Sequence, residues 1–257
     1  MSTFPTMKNS LSPSASARSS VLPTQPQFLA LALAASALGA LSLPALAVAI
    51  IEDTAFSDGS MALSGPNLIN GTVHTNANFT IDGGATVNGY VTAGGSITND
   101  IGNPGFLNGG FMAGVGSKTY PSMATMLAAI GIPDHEIFGN KSFSGSETFS
   151  GVWLIHGNLD ISGDASGNAT FLAEGDIDIS GDAYIMGVVL NASFPFGLAL
   201  YSSGGYAKVS DAVVGGAVAG KTTVEISGSA QVPEPSSALL LSLGCLGAAI
   251  LRKRQSA

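Results

Sequence analysis

Apolar side chains recur in pairs along the middle of the chain, two positions apart within a pair and six positions from one pair to the next. Side chains on a strand alternate between its two faces, so each pair marks the inward side of one short strand. The inward pairs read in this way are Phe79/Ile81, Ala85/Val87 and Val91/Ala93, then Trp153/Ile155, Leu159/Ile161, Ala165/Gly167, Phe171/Ala173, Ile177/Ile179 and Ala183/Ile185, and finally Ala212/Val214, Val218/Gly220 and Val224/Ile226.

A longer sequence repeat has the same phase. The block that runs from Gly157 to Ala165 returns as Gly175 to Ala183, and several glycines, at 157, 163, 175, 181 and 187, are separated by multiples of six. Three short sides make one coil of about 18 residues, with glycine at the turns. The pattern predicts an all-β fold, a single-stranded parallel β-helix or β-solenoid, over residues 50–231. A sandwich of alternating strands would not impose a fixed glycine spacing.

Residues 99–150 interrupt this pattern and are predicted to form an insertion. Within them, Met123, Met126, Leu127 and Ile130 follow helical spacing, and Gly131 and Pro133 come directly after. A short helix from Pro121 to Ile130 is therefore expected to pack on the solenoid or to cover one of its ends.

Residues 1–49 have the pattern of an export signal. Lys8 and Arg18 precede an apolar stretch, Phe28 to Ala49, that ends in two small-x-small triplets. Signal peptidase accepts small side chains there, so cleavage is expected after Ala47 or Ala49. An uncleaved membrane helix is the alternative.

The C-terminal segment, 232–257, combines three features in a fixed order. Val232-Pro233-Glu234-Pro235 precedes an apolar run, 236–251, which is followed by the basic cluster Arg252, Lys253 and Arg254. The run predicts a transmembrane helix with its basic end in the cytoplasm. This arrangement resembles the PEP-CTERM sorting signal of Gram-negative bacteria. The resemblance implies processing by an exosortase-like enzyme and a host that makes exopolysaccharide and biofilm. A permanent single-span anchor is the alternative.

Charge separates the body from these two ends. Charged residues are 10% of the chain, whereas about 25% is usual for a soluble protein, and the net charge is −8. Residues 48–231 carry four lysines against sixteen acids, a formal charge of −12. Such a surface disfavours nucleic acid as a partner. The one cysteine excludes an intramolecular disulfide framework.

Four aspartates are the candidate metal ligands. Asp160 and Asp178, and likewise Asp164 and Asp182, are separated by one full repeat and should stack on adjacent coils. Carboxylate oxygens of neighbouring coils could share a weakly bound calcium ion. A solvated acidic face is the simpler interpretation, because like charges about 4.8 Å apart in water repel by only about 1 kcal/mol.

The sequence offers no catalytic constellation, and no other cofactor is expected. We therefore expect a non-enzymatic, exported protein, first anchored in the inner membrane and then delivered to the cell surface or extracellular matrix, with a structural or adhesive role in a biofilm. Exopolysaccharide or other matrix proteins are the expected partners. The alternatives are a carbohydrate-active β-helix enzyme, either lyase or hydrolase, and a calcium-dependent adhesin.

Overall fold

The computed structural model describes residues 50–233, except 103 and 192. Short strands dominate this part of the chain. The first block of strands comprises β1 (Ala55–Ser57), β2 (Ser60–Ser64), β3 (Leu68–Ile69), β4 (Val73–Thr75), β5 (Phe79–Ile81), β6 (Thr86–Val87), β7 (Val91–Ala93), β8 (Ile97–Asn99), β9 (Phe106–Leu107) and β10 (Phe111–Ala113).

A helix, α1 (Met123–Ile130), separates this block from a second one. Ser122 caps its N-terminus by accepting a hydrogen bond from the backbone N–H of Thr125, and Gly131 follows its last residue. The second block comprises β11 (His135–Phe138), β12 (Lys141–Ser144), β13 (Thr148–His156), β14 (Leu159–Ser162), β15 (Ser166–Ala173), β16 (Ile177–Ile179), β17 (Tyr184–Met186), β18 (Val189–Asn191), β19 (Phe194–Ser202), β20 (Ala207–Ser210), β21 (Val213–Gly215), β22 (Ala217–Gly220), β23 (Thr223–Ser227) and β24 (Gln231–Val232).

The strands wind into a three-sided parallel β-solenoid, as the sequence predicts. The face that packs against α1, here called the helix face, consists of β11, β13, β15, β19, β22, β1, β4, β7 and β10, stacked in that order. The serine face stacks β12, β14, β16, β20, β23, β2, β5 and β8. The uncharged face stacks the first halves of β13 and β15, then β17, β21, β24, β3, β6 and β9. Strands β13 and β15 are long because they continue around a corner onto the helix face.

The predicted inward pairs form the core. Phe79, Ile81, Leu159, Ile161 and their apolar equivalents on the inner coils are at most 1% exposed, while the residue between each pair points outward. Nearer the two ends, Ile97, Phe143 and Trp153 are only partly buried. Each strand in the stack that forms a face is one rung of the solenoid. Burial of these side chains on the successive rungs provides the main stabilisation of the rod. Turns between sides use glycine: Gly163 and Gly181 take positive φ of 87° and 76°, and lie one above the other.

The order of the coils along the rod differs from their order along the chain. The second block, β11 to β24, makes the upper part of the rod, and the first block continues it below. At the junction β22 pairs with β1, β23 with β2 and β24 with β3, all parallel and in register. The solenoid is thus discontinuous in sequence but continuous in space.

Residues 114–134 connect the lower end of the rod to its upper end. They run back along the helix face and include α1, which lies where the sequence predicts a helix. The predicted insertion of 99–150 is wider than this connection, because β9, β10, β11, β12 and the start of β13 belong to the coils.

Two predicted segments lie outside the described residues. These are the export signal 1–49, with Ala47 and Ala49, and the part of the sorting signal from Glu234 onward, with Pro235, the run 236–251 and the cluster 252–254. Within 50–233, no helix has the length and apolar character needed to cross a bilayer.

Candidate functional site: the three faces of the solenoid

A second hydrophobic core lies between the helix face and α1. One outward column of this face is apolar on five successive rungs, and its members are at most 4% exposed: Leu154, Leu172, Tyr201, Ala219 and Phe56. Met126 of α1 is fully buried in the same cluster, and Met123 and Leu127 pack against it. This face is therefore closed to large ligands over its middle rungs.

Two tyrosines fix the returning chain to this face. The hydroxyl of Tyr120 donates to the carbonyl of Ser202 at 2.6 Å, and the hydroxyl of Tyr201 donates to the carbonyl of Pro121. Their rings stack with centroids 5.4 Å apart. Burial raises the pKa of both phenols above the ordinary value, so both stay neutral donors at physiological pH.

A polar network holds the segment before α1. His74, 1% exposed, is hydrogen-bonded to Thr92 Oγ1 at 2.7 Å and to Asn76 Oδ1 at 2.8 Å. Asn76 in turn accepts a hydrogen bond from the backbone N–H of Lys118 and donates to Asp58. A buried histidine with both nitrogens bonded to neighbouring side chains serves to position the chain.

A cavity of about 260 Å³ lies beside this network. Its lining includes Ile50, Glu52, Asp53, Phe56 and Lys118. Asp53 is 5% exposed and forms an ion pair of 2.6 Å with Lys118. The paired acid thus holds the returning segment against the coils.

The serine face contains the aspartates predicted as metal ligands. Asp160 and Asp178 stand opposite each other on β14 and β16, as their spacing implies. The next rungs carry Lys208 and Glu225 in the same column, and the ammonium of Lys208 lies 3.5 Å from Asp178. Charges therefore alternate beyond Asp178, and the repulsion within the aspartate pair is partly relieved.

Asp164 and Asp182 lie at the neighbouring corner, where their side chains reach solvent. No cluster of three or more His, Cys, Asp or Glu side chains arranged to hold a metal ion occurs among the described residues. Calcium takes six to eight oxygen ligands, so backbone carbonyls or water would have to supply most of them at either aspartate pair.

A column of serines runs beside the charged column. It extends over six successive rungs, and the register of the strands aligns its members: Ser144, Ser162, Ser180, Ser210, Ser227 and Ser64. The hydroxyls of Ser210 and Ser227 are 2.8 Å apart. The repeated sequence block contained this column as Ile-Ser-Gly, but the sequence alone did not show that the coils from the two blocks would join it.

His156 lies between two glutamates near the upper end of the helix face. Its Nε2 is 2.7 Å from Glu136 and its Nδ1 is 3.0 Å from Glu174. Hydrogen bonds to Glu136 and then to Glu174 raise the pKa of His156, and the ring of Phe138 stacks on the imidazole at 4.7 Å. The hydrogen-bonded Glu136–His156–Glu174 group thus connects the coils of the three consecutive strands β11, β13 and β15.

The uncharged face is a regular surface that the described chain leaves open. One outward column runs over eight rungs without an Asp, Glu, Lys, Arg or His: Thr148, Ser166, Tyr184, Val213, Gln231, Leu68, Thr86 and Phe106. Tyr184 and Phe106 are 51% and 56% exposed. The nearest acids, Glu147, Asp164, Asp182 and Asp211, lie just before the strands of this face, at its corner with the serine face.

Amides extend the neighbouring column of this face. Asn88 donates to the side-chain oxygen of Asn70 at 2.9 Å, and Asn108 donates to that of Asn88 at 2.7 Å. Each amide fixes the next, so the donors and acceptors are presented at the spacing of the rungs, about 4.8 Å. The lack of charge at these outward positions is visible in the sequence, but their alignment into one face is not.

Comparisons with known proteins assign no family to this chain. No protein-family model and no curated protein matches the chain. A crystal structure of an ice-binding protein from an Antarctic ascomycete, Antarctomyces psychrotrophicus, matches with 12% sequence identity and a TM-score of 0.34, over 70% of this chain and 93% of that one.

Proposed function

We propose that this protein is an exported structural or adhesive rod of the cell surface or extracellular matrix, and that it attaches to its surroundings through the uncharged face. The observation that carries the proposal is the contrast between the acidic body of the molecule and the absence of charge on this face. A body with four lysines and sixteen acids keeps both outward columns of one face free of charge over eight rungs.

A face of this kind suits an uncharged polymer. Exposed Tyr184 and Phe106 can stack on the apolar faces of sugar rings, and the amides of Asn70, Asn88 and Asn108 can hydrogen-bond to their hydroxyls. No charged group on the face must be desolvated on contact, which avoids a large cost. A neutral exopolysaccharide chain lying along the rod is the partner this chemistry fits.

The test compares one substitution on two faces of the same coil. Thr86→Lys places an ammonium on the uncharged face, whereas Thr80→Lys places it on the serine face. We expect Thr86→Lys to weaken retention on insoluble neutral polysaccharide about tenfold, as desolvation of one charge costs more than about 1.4 kcal/mol. Thr80→Lys should bind like the wild type, and equal loss in both variants would refute the assignment of the face.

The same face supports a second candidate, adsorption to ice. Ice is another uncharged, regular surface, and the hydroxyls and amides of this face repeat at a fixed spacing without a charged group between them. Growth of ice crystals in dilute solutions of the protein, with the same two lysine variants, distinguishes this candidate from polysaccharide binding.

A calcium-dependent adhesin and a carbohydrate-active enzyme are the remaining alternatives. Calorimetric titration with calcium, repeated on Asp160→Asn/Asp178→Asn, tests the first: heat that the double variant loses would support it. Release of reducing ends or unsaturated sugars from exopolysaccharide tests the second, and a positive result would replace the structural role with an enzymatic one.

Delivery to the surface is proposed to depend on the C-terminal sorting signal. Replacement of Pro233, Glu234 and Pro235 by alanine should block processing by an exosortase-like enzyme and retain the protein in the inner membrane. Surface labelling of intact cells measures the result. Unchanged delivery would contradict the sorting signal while leaving the proposed role of the uncharged face intact.

A further inference from the structure

Both ends of the rod present strands that are paired on one side only. At the lower end, within the described part of the chain, β8, β9 and β10 pair only with β5, β6 and β7 above them. At the upper end, the described residues pair β11 and β12 only with β13 and β14 below them, and residues 148–150 of β13 only with β15. One edge of each strand therefore has backbone N–H and C=O groups without a strand partner in the described chain.

Apolar side chains at these ends are exposed, one of them in the register of the core. Phe111 occupies the inward column of Val91 and Val73, which are fully buried, yet it is 60% exposed. At the other end Phe138 is 80% exposed. Phe111 is exposed because the inward column ends there, with no further strand beneath it among residues 50–233.

The two ends match each other as successive rungs of one solenoid. The columns of the serine and uncharged faces run unbroken from one end to the other, whereas the helix face has a register shift at Leu198–Leu200. On the two unbroken faces, the residue that ends a column below and the residue that begins it above have the same position in the coil. On the serine face, for example, one column begins at Ser142 and ends at Thr98.

The molecule already contains a junction of this type. Strands β22, β23 and β24 are followed in space by β1, β2 and β3, although the two sets come from opposite ends of the described chain. Register and core packing at this junction do not depend on a covalent link between the two coils. A coil of a second molecule could make the same contact.

The chain enters and leaves the described structure in the middle of the rod. Ile50 bonds through its backbone to Ser193, and the chain then enters β1, the sixth of the nine rungs of the helix face. Pro233 follows β24, the fifth of eight rungs on the uncharged face. The connections to the residues before 50 and after 233 therefore start away from both ends.

We propose that the occupant of each open end is a second copy of this chain, so that rods add head to tail with the upper end of one copy beneath the lower end of the next. Strands β11 and β12 of one copy then continue the helix and serine faces of its neighbour. The contact joins two different surfaces and does not close on itself, so the product is an open filament. Within it, Phe111 becomes an interior residue, and the uncharged faces align into one continuous strip.

The test uses cysteine pairs in the full chain, with Cys245→Ser in every variant so that the introduced thiols are the only ones. Thr98→Cys/Ser142→Cys places thiols at the two ends of one column. In a filament they lie on adjacent strands about 4.8 Å apart, within reach of a disulfide. Within one copy they are separated by seven rung spacings, about 34 Å, which excludes an intramolecular bond.

The matched control is Thr98→Cys/Thr148→Cys, which has thiols at the same two ends but on different faces. Mild oxidation should convert the matched pair into a ladder of dimers, trimers and longer species on a non-reducing gel, with little ladder from the control. The proposal is overturned if the matched pair gives no ladder, or if both pairs cross-link equally, as association through the terminal segments would produce. Circular dichroism of both variants verifies that the fold is retained.

Discussion

Docking of α1 on the helix face is predicted to contribute several kcal/mol to the stability of the rod. Met126 is fully buried in the second core, so Met126→Ala removes a thioether chain that packs against the outward column of Leu154, Leu172 and Tyr201. Truncation of a buried Met to Ala costs about 2–5 kcal/mol, of which the cavity left behind is a substantial part. Met112→Ala is the matched control, because Met112 is 53% exposed at the lower end.

The assay is unfolding in urea and by heat, followed by circular dichroism, with limited proteolysis as a local readout. For a body of this size each kcal/mol shifts the melting temperature by about 2–4 °C, so Met126→Ala should melt roughly 4–20 °C below the wild type. Met112→Ala should stay within about 0.5 kcal/mol of wild type, as most exposed substitutions do. Cleavage within 114–134 should also accelerate in Met126→Ala. Equal stability of the two variants would refute the docking of the helix.

Two further predictions concern a turn and a histidine. Gly89→Ala should destabilise the rod by about 1–3 kcal/mol in urea unfolding, because the new Cβ would overlap the backbone carbonyl oxygen of Gly71 on the rung above. Gly116→Ala is the control and should be neutral, because there is open space around its new Cβ. Similar urea midpoints for the two variants would contradict the close stacking of turns. Hydrogen bonds to Glu136 and Glu174 raise the pKa of His156 in the folded protein, so protonated His156 stabilises the fold. This contribution to stability is fully present below pH 6.5, the pKa of the unfolded state, and is lost as the pH rises through the pKa of the folded state. The wild type should therefore have a higher urea midpoint than His156→Gln, and the difference should be larger at about pH 5.5 than at about pH 8.5. A difference that does not change with pH would contradict the interaction of His156 with the two glutamates.

The solenoid itself could be predicted because its signal is local. Pairs such as Leu159/Ile161 and Ile177/Ile179 repeat at fixed intervals, and a strand of this length has only one way to bury both members. The helix α1 could be predicted equally well, because Met123, Met126 and Leu127 have helical spacing and a glycine follows the segment.

The order of the coils could not be predicted in the same way. The inward residues of different coils are alike, mostly Ile, Val, Leu and Ala, so β1 fits beneath β22 as well as it would fit beneath any other helix-face strand. The predicted insertion was too wide for a related reason. The step from Val91 to Phe111 is two positions longer than the step from Val73 to Val91, although all three share a column, and the extra positions disrupt a pattern read in steps of six.

The second core had a sequence signal that alternation alone misses. Residues 152–155 and 169–173 are apolar nearly without interruption, which indicates strands buried on both sides. The uncharged face was harder to find, because its outward positions are recognised as one surface only after the two blocks of coils have been placed in order.

The central claim is that the first block of strands completes the stack begun by the second, and one cross-link tests it directly. Ala62 and Glu225 face each other across the junction of β2 and β23. In a Cys245→Ser background, Ala62→Cys/Glu225→Cys should form an intramolecular disulfide on mild oxidation, because parallel neighbours lie about 4.8 Å apart. Ala62→Cys/Asp178→Cys, three rungs or about 14 Å apart, should not. Absence of the first bond, or formation of both with equal ease, would contradict the discontinuous solenoid.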